Sequence, residues 1–359
     1  MLWVDSGPTQ DVIYLYVMNT SQPDTTETKN KIRVGIFFGG KSAEHDVSVN
    51  SAKNVLAALD ETKFTPVTIE IGKDGVWKSK ESITSLINSK KPAFDVAFPI
   101  LHGPYGEDGS MQGLFEVAGI PYVGPGVLSS AVNMDKDISK RLLKAAGIAV
   151  APSITTRSHQ QPVTFQDASE KLGTPLFIKP ANMGSSIGVS KVSTEAAFNN
   201  ALKDAFQYDH KVLIEGAIIG DEIECSVLGN EHPRASAIGR IRPNTAEFYD
   251  YNAKYFDENG AILEIPANIS PALAEKAQDI AIQVYKTLEC QGMSRVDMFL
   301  TKEGDIIVGE INTIPGFTNI SMYPKLWEVS GLSYTNLITE IIELALERHD
   351  KKMSLKTTD

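Results

Sequence analysis

The sequence predicts an α/β protein of two or three domains, with a parallel sheet near its start and antiparallel ribbons further on. Three stretches carry that prediction. Residues 32–38 form a continuous apolar run suited to a buried parallel strand, and Gly39 and Gly40 then lead into SAEHDVSVNSAKNVLAAL, whose Val47, Val55, Leu56 and Leu59 recur at roughly helical spacing. PLFIKPANMGSSIGVSKV places a loop of small residues between two strands, and MSRVDMFLTKEGDIIVGEINTIPGFTNISMYP holds two β-rich runs separated by a charged, glycine-containing segment, which is a hairpin signature. A length of 359 residues is enough for two or three domains of ordinary size.

Composition excludes several classes. Apolar content of 42% with 8% aromatics is that of an ordinary globular protein, and a net charge of −11 argues against a nucleic-acid partner, which needs a basic footprint. The longest apolar runs, such as Val12 to Met18, fall well short of the ~20 residues that span a bilayer, so no transmembrane helix and no membrane partner are expected. Cys225 and Cys290 are the only cysteines, too few for a disulfide framework, and read as core residues of a cytosolic protein. The first 30 residues lack the features of a signal peptide. Residues 1–31 are expected to be a disordered tail, polar and turn-rich over NTSQPDTTETKNK, with Met18 as the expected natural start.

Taken in order, the glycine turn after the first strand presents backbone N–H groups to an anionic group, with Glu44 and His45 at its mouth. Those two residues are equally compatible with simple helix-dipole pairing. Strands are expected over Thr65 to Ile71 and Phe94 to Leu101. The second runs into HGPYGEDGSMQGLFEVAG, a glycine-rich loop and a helix, with His102 at the carboxyl end of its strand, where open α/β sheets place ligands. One helix is expected from about Ser129 to Ala146, carrying Lys136. Lys179 ends the strand before Gly184, Ser185, Ser186 and Gly188, where backbone amides and hydroxyls can approach phosphate oxygens, or where the loop is simply a hairpin connection. No GK[ST] opens a helix, so this is not a Walker loop.

A helix follows from about Thr194 to Tyr208, then KVLIEGAIIGDEIECSVLG, in which Glu215 ends one strand and Glu222 opens the next. GRIRPNTAEFYDYNAKYFDENG has no apolar period and reads as a long irregular functional loop. Ser270 and Pro271 cap a helix reaching about Cys290. In the hairpin, a turn over Lys302 to Asp305 sets Thr301 opposite Ile306, Asp297 opposite Glu310 and Arg295 opposite Asn312, all four of the latter on one face. Two carboxylates facing each other at roughly 5 Å repel. Either the face is solvated, or a divalent cation held by Asp297, Glu310 and Asn312 compensates, with Arg295 beside it to meet an oxyanion or a phosphate. A last amphipathic helix is expected over about Tyr334 to Leu346, with Trp327 closing the core.

The ordered motifs GGKSAEHDVSVNS, LHGPYGEDG, KPANMGSSIGVSKV, YDYNAKY, GMSRVDMFL and GEINTIPGFTNISMYP closely resemble the D-alanine:D-alanine ligase family of the ATP-grasp superfamily, over residues 32–348. The resemblance implies a three-domain ATP-grasp architecture. Its parts would be a Rossmann-like N-terminal domain over 32–124, a central domain over 125–217 and a catalytic domain over 218–348, with 349–359 a tail. It implies an enzyme of peptidoglycan precursor synthesis that joins two D-alanine molecules through an acyl phosphate made with ATP.

By the same resemblance, Lys136, Lys179, Ser186, Glu215, Ile218, Glu222 and Lys254 would bind ATP, with Glu215 at the adenine amine and Glu222 at the ribose. Asp297, Glu310 and Asn312 would hold two Mg²⁺ or Mn²⁺. Glu44, Ser185 and Tyr255 would form a hydrogen-bonded chain at the first D-alanine, beside His102. Arg295 and the Gly316 N–H would meet the oxyanion, and Ser321 with the Met322 backbone would take the second substrate's carboxylate. The loop bearing Lys254 and Tyr255 would act as a lid that excludes water. A cytoplasmic homodimer is expected on the same ground. Gly216 and Ala217 stand where many relatives carry bulkier residues, and Asn182 and Met183 replace a charged pair found in some. A D-alanine:D-lactate ligase and a non-catalytic nucleotide sensor are the rival readings. The NAKY lid favours an amine over a hydroxy acid, and an intact Arg295, Asp297, Glu310 and Asn312 set argues against lost catalysis.

Overall fold

A computed structural model describes residues 31–79, 83–88, 92–243 and 261–356. The tail with Met18 and the loop with Lys254 and Tyr255 lie outside the described residues. The first apolar run is β1 (Ile32–Gly39), and the Gly39–Gly40 turn delivers the chain to α1 (His45–Ala58). Glycine is required at position 39: φ is +92°, and a Cβ there would lie 2.2 Å from the Ile71 carbonyl oxygen. The Gly39 N–H donates to Ser48 Oγ at 2.8 Å, which fixes the helix to the strand end. After β2 (Phe64–Ile71), α2 (Ile83–Asn88), β3 (Val96–Ile100) and α3 (Ser110–Ala118), the three strands form a parallel sheet in the order β2-β1-β3.

Where one helix was expected over 129–146 there are two, α4 (Val127–Met134) and α5 (Lys136–Ala145). Asp135 makes the break. Its backbone is extended, and its carboxylate accepts from the N–H groups of Asp137 and Ile138, both at 3.1 Å, while also pairing with Lys211. A side chain able to cap competes with helix continuation, and apolar periodicity does not register that competition.

β4 (Ser153–Arg157), α6 (Phe165–Leu172), β5 (Leu176–Pro180), β6 (Ser190–Val192), α7 (Glu195–Tyr208) and β7 (Lys211–Gly216) follow, and the strands form an antiparallel sheet in the order β4-β7-β5-β6. Helix α7 starts at its expected cap, with Thr194 accepting from the Ala197 N–H, and buries Phe198, Leu202 and Ala205 against Ile178 and Ile214.

The third sheet is also antiparallel, in the order β10-β9-β8-β11-β12, from β8 (Asp221–Gly229), β9 (Arg234–Pro243), β10 (Ala261–Glu264), β11 (Gly292–Leu300) and β12 (Ile306–Asn312), with α8 (Pro271–Thr287) packed on it. GRIRP, read as the start of an irregular loop, is instead the second half of β9. Arg240 is buried there, with its guanidinium donating to the Asn268 carbonyl and lying near Asp221 and Glu264. A paired arginine can sit inside a strand where its sequence suggests a solvated loop.

α9 (Met322–Val329) and α10 (Tyr334–Met353) end the described chain. Helix α10 runs past Leu346 into residues assigned to a tail. Arg348 donates to the carbonyls of Tyr122 and Gly124, and Lys351 pairs with Glu231 and Glu347. One hydrophobic cluster joins β1, β3 and α1 to Met293, Phe317, Tyr323, Trp327 and α10, so the N-terminal sheet and the β11–β12 hairpin share a core. Trp327 and both cysteines are buried, as expected. Among the described residues no helix is long and apolar enough to cross a membrane.

Candidate active site

The hairpin of β11 and β12 pairs Arg295 with Asn312 and Asp297 with Glu310, as the sequence predicts, but by a different route. The turn is a residue longer than expected: Leu300, not Thr301, faces Ile306, and Thr301 N–H donates to the Asp305 carbonyl at 2.9 Å. A bulge at Gly309 takes up the extra residue and restores the pairing beyond it. Three of the four polar side chains are joined by hydrogen bonds. Arg295 donates through Nε and Nη2 to the two Asp297 oxygens, each at 2.7 Å, and Asn312 Nδ2 donates to Asp297 Oδ2 at 2.8 Å. Arg295 Nε also lies 3.0 Å from Glu224 on β8, so its guanidinium is fixed between two buried carboxylates.

A cavity of about 280 Å³ opens between this hairpin and the central sheet. Its apolar lining is Phe177, Ile187, Val189, Ile218, Met298 and Phe299. Its charged lining is Lys136, Lys179, Glu215, Glu222, Asp297 and Glu310. Lys136 stands at the head of α5, donates to the Met183 carbonyl at 2.6 Å and lies 3.5 Å from Glu310, linking the small-residue loop to the hairpin. In that loop Ser185 and Ser186 both have positive φ, +51° and +60°, a conformation that turns successive N–H groups to one side.

Glu215 was expected beside an adenine amine. Its carboxylate sits between two ammonium groups, Lys179 Nζ at 2.6 Å and Lys140 Nζ at 2.9 Å. Burial pushes the Glu215 carboxyl up, but the two lysines hold it below its usual value. Burial works against the Lys179 ammonium as well, and Glu215 and Glu310 hold it above its usual value.

Glu44, at the head of α1, accepts from Ser185 Oγ, so the first link of the expected Glu44, Ser185, Tyr255 chain joins the N-terminal domain to the small-residue loop. His102 is buried, with Nδ1 3.1 Å from the Ile314 carbonyl and Nε2 3.2 Å from Ser51 Oγ. Burial pulls its imidazole down to about 4, so near neutral pH it is an uncharged tie between the first sheet and the loop after β12. Gly316 lies in that loop, where a Cβ would come within 2.7 Å of Ser321 Oγ. Ser321 is the N-cap of α9 but makes no side-chain cap. Its hydroxyl is bonded to Thr318 instead, and the helix N-terminus at Met322 is left facing the loop.

Sequence reasoning missed Lys140, Glu224 and Glu107. Glu107 lies in the quoted GED segment, accepts from the N–H groups of Gly103 and Ile314 at 2.7 and 3.2 Å, and is pushed up to about 8 by burial and by neighbouring Glu44. Lys140 carried one available signal, its place one helical turn after Lys136. Glu107 and Glu224 carried none, since an acid in a glycine turn or a strand reads as solvated.

The structure thus brings together Glu44, Ser185, Lys136, Lys179, Ser186, Glu215, Ile218, Glu222, Arg295, Asp297, Glu310 and Asn312 around one cavity and its mouth. His102, Gly316, Ser321 and Met322 lie along the loop beyond Asn312 and at its contacts.

Family models described as D-ala D-ala ligase N-terminus and C-terminus match residues 33–125 in two overlapping segments and residues 142–343. A D-alanine–D-alanine ligase of Shouchella clausii is 52% identical, over 91% of this chain and 98% of its own. The solved D-alanine–D-alanine ligase of Coxiella burnetii superposes with a TM-score of 0.81 at 37% identity, covering 90% of this chain and 97% of that one. The Bacillus anthracis enzyme complexed with ATP superposes with a TM-score of 0.75 at 34% identity, covering 89% and 99%. With both family models matched in order and half the residues shared with a ligase along nearly its whole length, the chain belongs to the D-alanine–D-alanine ligase family and has its ATP-grasp architecture.

Proposed function

We propose that this chain ligates two D-alanine molecules to D-alanyl-D-alanine with ATP, for peptidoglycan synthesis. The observation that carries the reading is the juxtaposition of an apolar slot, a serine-glycine loop with two lysines, and a carboxylate hairpin around one cavity. The adenine lies against Phe177, Ile218 and Phe299, with Glu222 at the ribose. Because both Glu215 oxygens face lysines, Glu215 acts chiefly by setting Lys179. The phosphates run along Ser185, Ser186, Lys179 and Lys136, and Lys254 approaches them from its loop.

Asp297 and Glu310 with the free oxygen of Asn312 are an all-oxygen donor set on one face, which fits Mg²⁺ or Mn²⁺ completed by phosphate oxygens. Two such ions, when bound, would neutralise phosphate charge. The chain's own groups do the rest. Glu44 holds the first D-alanine's ammonium, with Ser185 and Tyr255 in its hydrogen-bonded chain. Arg295 needs no reorganisation to meet charge on the carboxylate as it is phosphorylated and then attacked, because Asp297 and Glu224 already fix it. The Gly316 N–H shares that oxyanion. Ser321 and the helix N-terminus at Met322 take the second D-alanine's carboxylate, the place where a helix end favours an anion. The amine then displaces phosphate, and the lid with Lys254 and Tyr255 keeps water from the acyl phosphate.

The domain division at 32–124, 125–217 and 218–348 belongs to the same proposal and is supported by the three separate sheets. So do a homodimer, which sedimentation would measure, and a place in the cytoplasm, where D-alanine and ATP are at hand. The test of function is ADP release with Mg²⁺ and ATP, comparing no acceptor, D-alanine, L-alanine, D-alanine with D-serine, and D-alanine with D-lactate, reading product mass. Turnover only with D-alanine, yielding its dipeptide, is expected. D-lactate in the product at neutral pH, or ATP binding without turnover, would overturn it.

A further inference from the structure

Lys140 lies one turn after Lys136 on α5 and is almost wholly buried, with its ammonium 2.9 Å from Glu215. The other Glu215 oxygen takes Lys179 at 2.6 Å. Among the described residues, Lys179 and Glu215 line the nucleotide cavity and Lys140 does not. A buried lysine behind a binding wall is unfavourable unless its charge is used. If Lys179 and Glu215 were alone, the pair would be neutral and that part of the wall would add no net charge to what Lys136 and the hairpin carboxylates supply. With Lys140 the triad carries +1, and Glu215 is divided between two ammonium groups, so the exposed member, Lys179, keeps its charge for the cavity. Burial pulls the Lys140 ammonium below its ordinary value while Glu215 opposes the fall.

We infer that Lys140 is a positioning residue for nucleotide phosphates: it never touches the ligand, but by sharing Glu215 it leaves Lys179 a net positive charge for the phosphates. The inference rests on the ATP reading of the cavity. Its signature is a binding loss that grows with ligand charge, which a change of pocket shape would not produce.

The experiment measures equilibrium binding of adenosine, AMP, ADP and ATP, each with Mg²⁺, to wild type, Lys140→Met, Lys140→Gln and Lys140→Arg. Lys140→Met leaves the Lys179 and Glu215 pair intact, and Lys140→Gln keeps a donor toward Glu215 without the charge, so the test stands on whichever of the two folds. In a site of effective dielectric near 20, one unit charge set back roughly 12 Å from a phosphate charge is worth on the order of tenfold in affinity. ATP binding is therefore expected to weaken about tenfold, AMP binding by less, and adenosine binding not at all, with Lys140→Arg close to wild type. An equal loss for adenosine and ATP, or no loss, would overturn the inference. Wild type that binds no ATP would instead overturn the proposed function.

Discussion

Gly316→Ala probes the proposed second-substrate site through Ser321. No left-handed backbone conformation is required at residue 316, so alanine is compatible with the main chain there. The new Cβ would lie 2.7 Å from Ser321 Oγ and 3.6 Å from Ser321 Cβ. Ordinary contact begins near 3.4 Å, so the hydroxyl must retreat by 3.4 − 2.7, or about 0.7 Å. It is the end of a short side chain and can rotate, at the cost of its bonds to Thr318, 3.0 Å from the N–H and 2.8 Å from Oγ1. Stability should fall by about 1–3 kcal/mol, the worth of two ordinary hydrogen bonds. On the proposed role of Ser321, the carboxylate of the second D-alanine would lose a charge-assisted partner worth about 1.5–3 kcal/mol, which is roughly a ten- to hundredfold rise in its KM. The assay is steady-state ADP release with D-alanine varied over a range that resolves its two sites, alongside direct ATP binding and thermal unfolding. The expected result is a raised KM for the second D-alanine, with the first-site KM and ATP affinity unchanged. An unchanged second-site KM, or a uniform loss at both sites, would refute the assignment of Ser321.

Other perturbations probe different contacts. Ser185→Ala removes the hydroxyl that donates to buried Glu44 and should lower kcat about ten- to hundredfold with the fold intact, checked by turnover and circular dichroism. Arg348→Ala strips donors from the carbonyls of Tyr122 and Gly124 and removes a guanidinium 4.5 Å over the Tyr122 ring. It should lose about 2–4 kcal/mol of stability in chemical denaturation without changing KM for ATP. For His102, held near 4 when folded against an ordinary value of 6.5, the unfolded chain binds the extra proton between those values. Its stabilising contribution is therefore complete above 6.5 and is lost as pH falls from about 6.5 to about 4, by about 3 kcal/mol in all. Denaturation across that window, compared with His102→Gln, should show the wild type losing more stability on acidification than the variant.

The sequence by itself determined those elements whose signal is local. Continuous apolar runs made β1 and β3 parallel strands, Thr194 and Ser270 with Pro271 fixed the starts of α7 and α8, and alternation put Arg295, Asp297, Glu310 and Asn312 on one face. Motif order gave the family that the comparisons then showed. What depends on partners distant in sequence was illegible. Asp135 breaks a helix because Lys211, 76 residues on, helps hold its carboxylate in place, and Arg240 enters a strand because Asp221, Glu264 and Asn268 are waiting for it. The hairpin reached its predicted pairing only because the Gly309 bulge offset a longer turn, two irregularities that cancel in the register and leave no trace in apolar alternation. The same holds for the site's charge balance. That Glu215 serves two lysines, and that Glu107 sits against Glu44, follows from helices and loops packed together from three sheets. Only the tertiary structure sets the distances and burial on which such electrostatics depend.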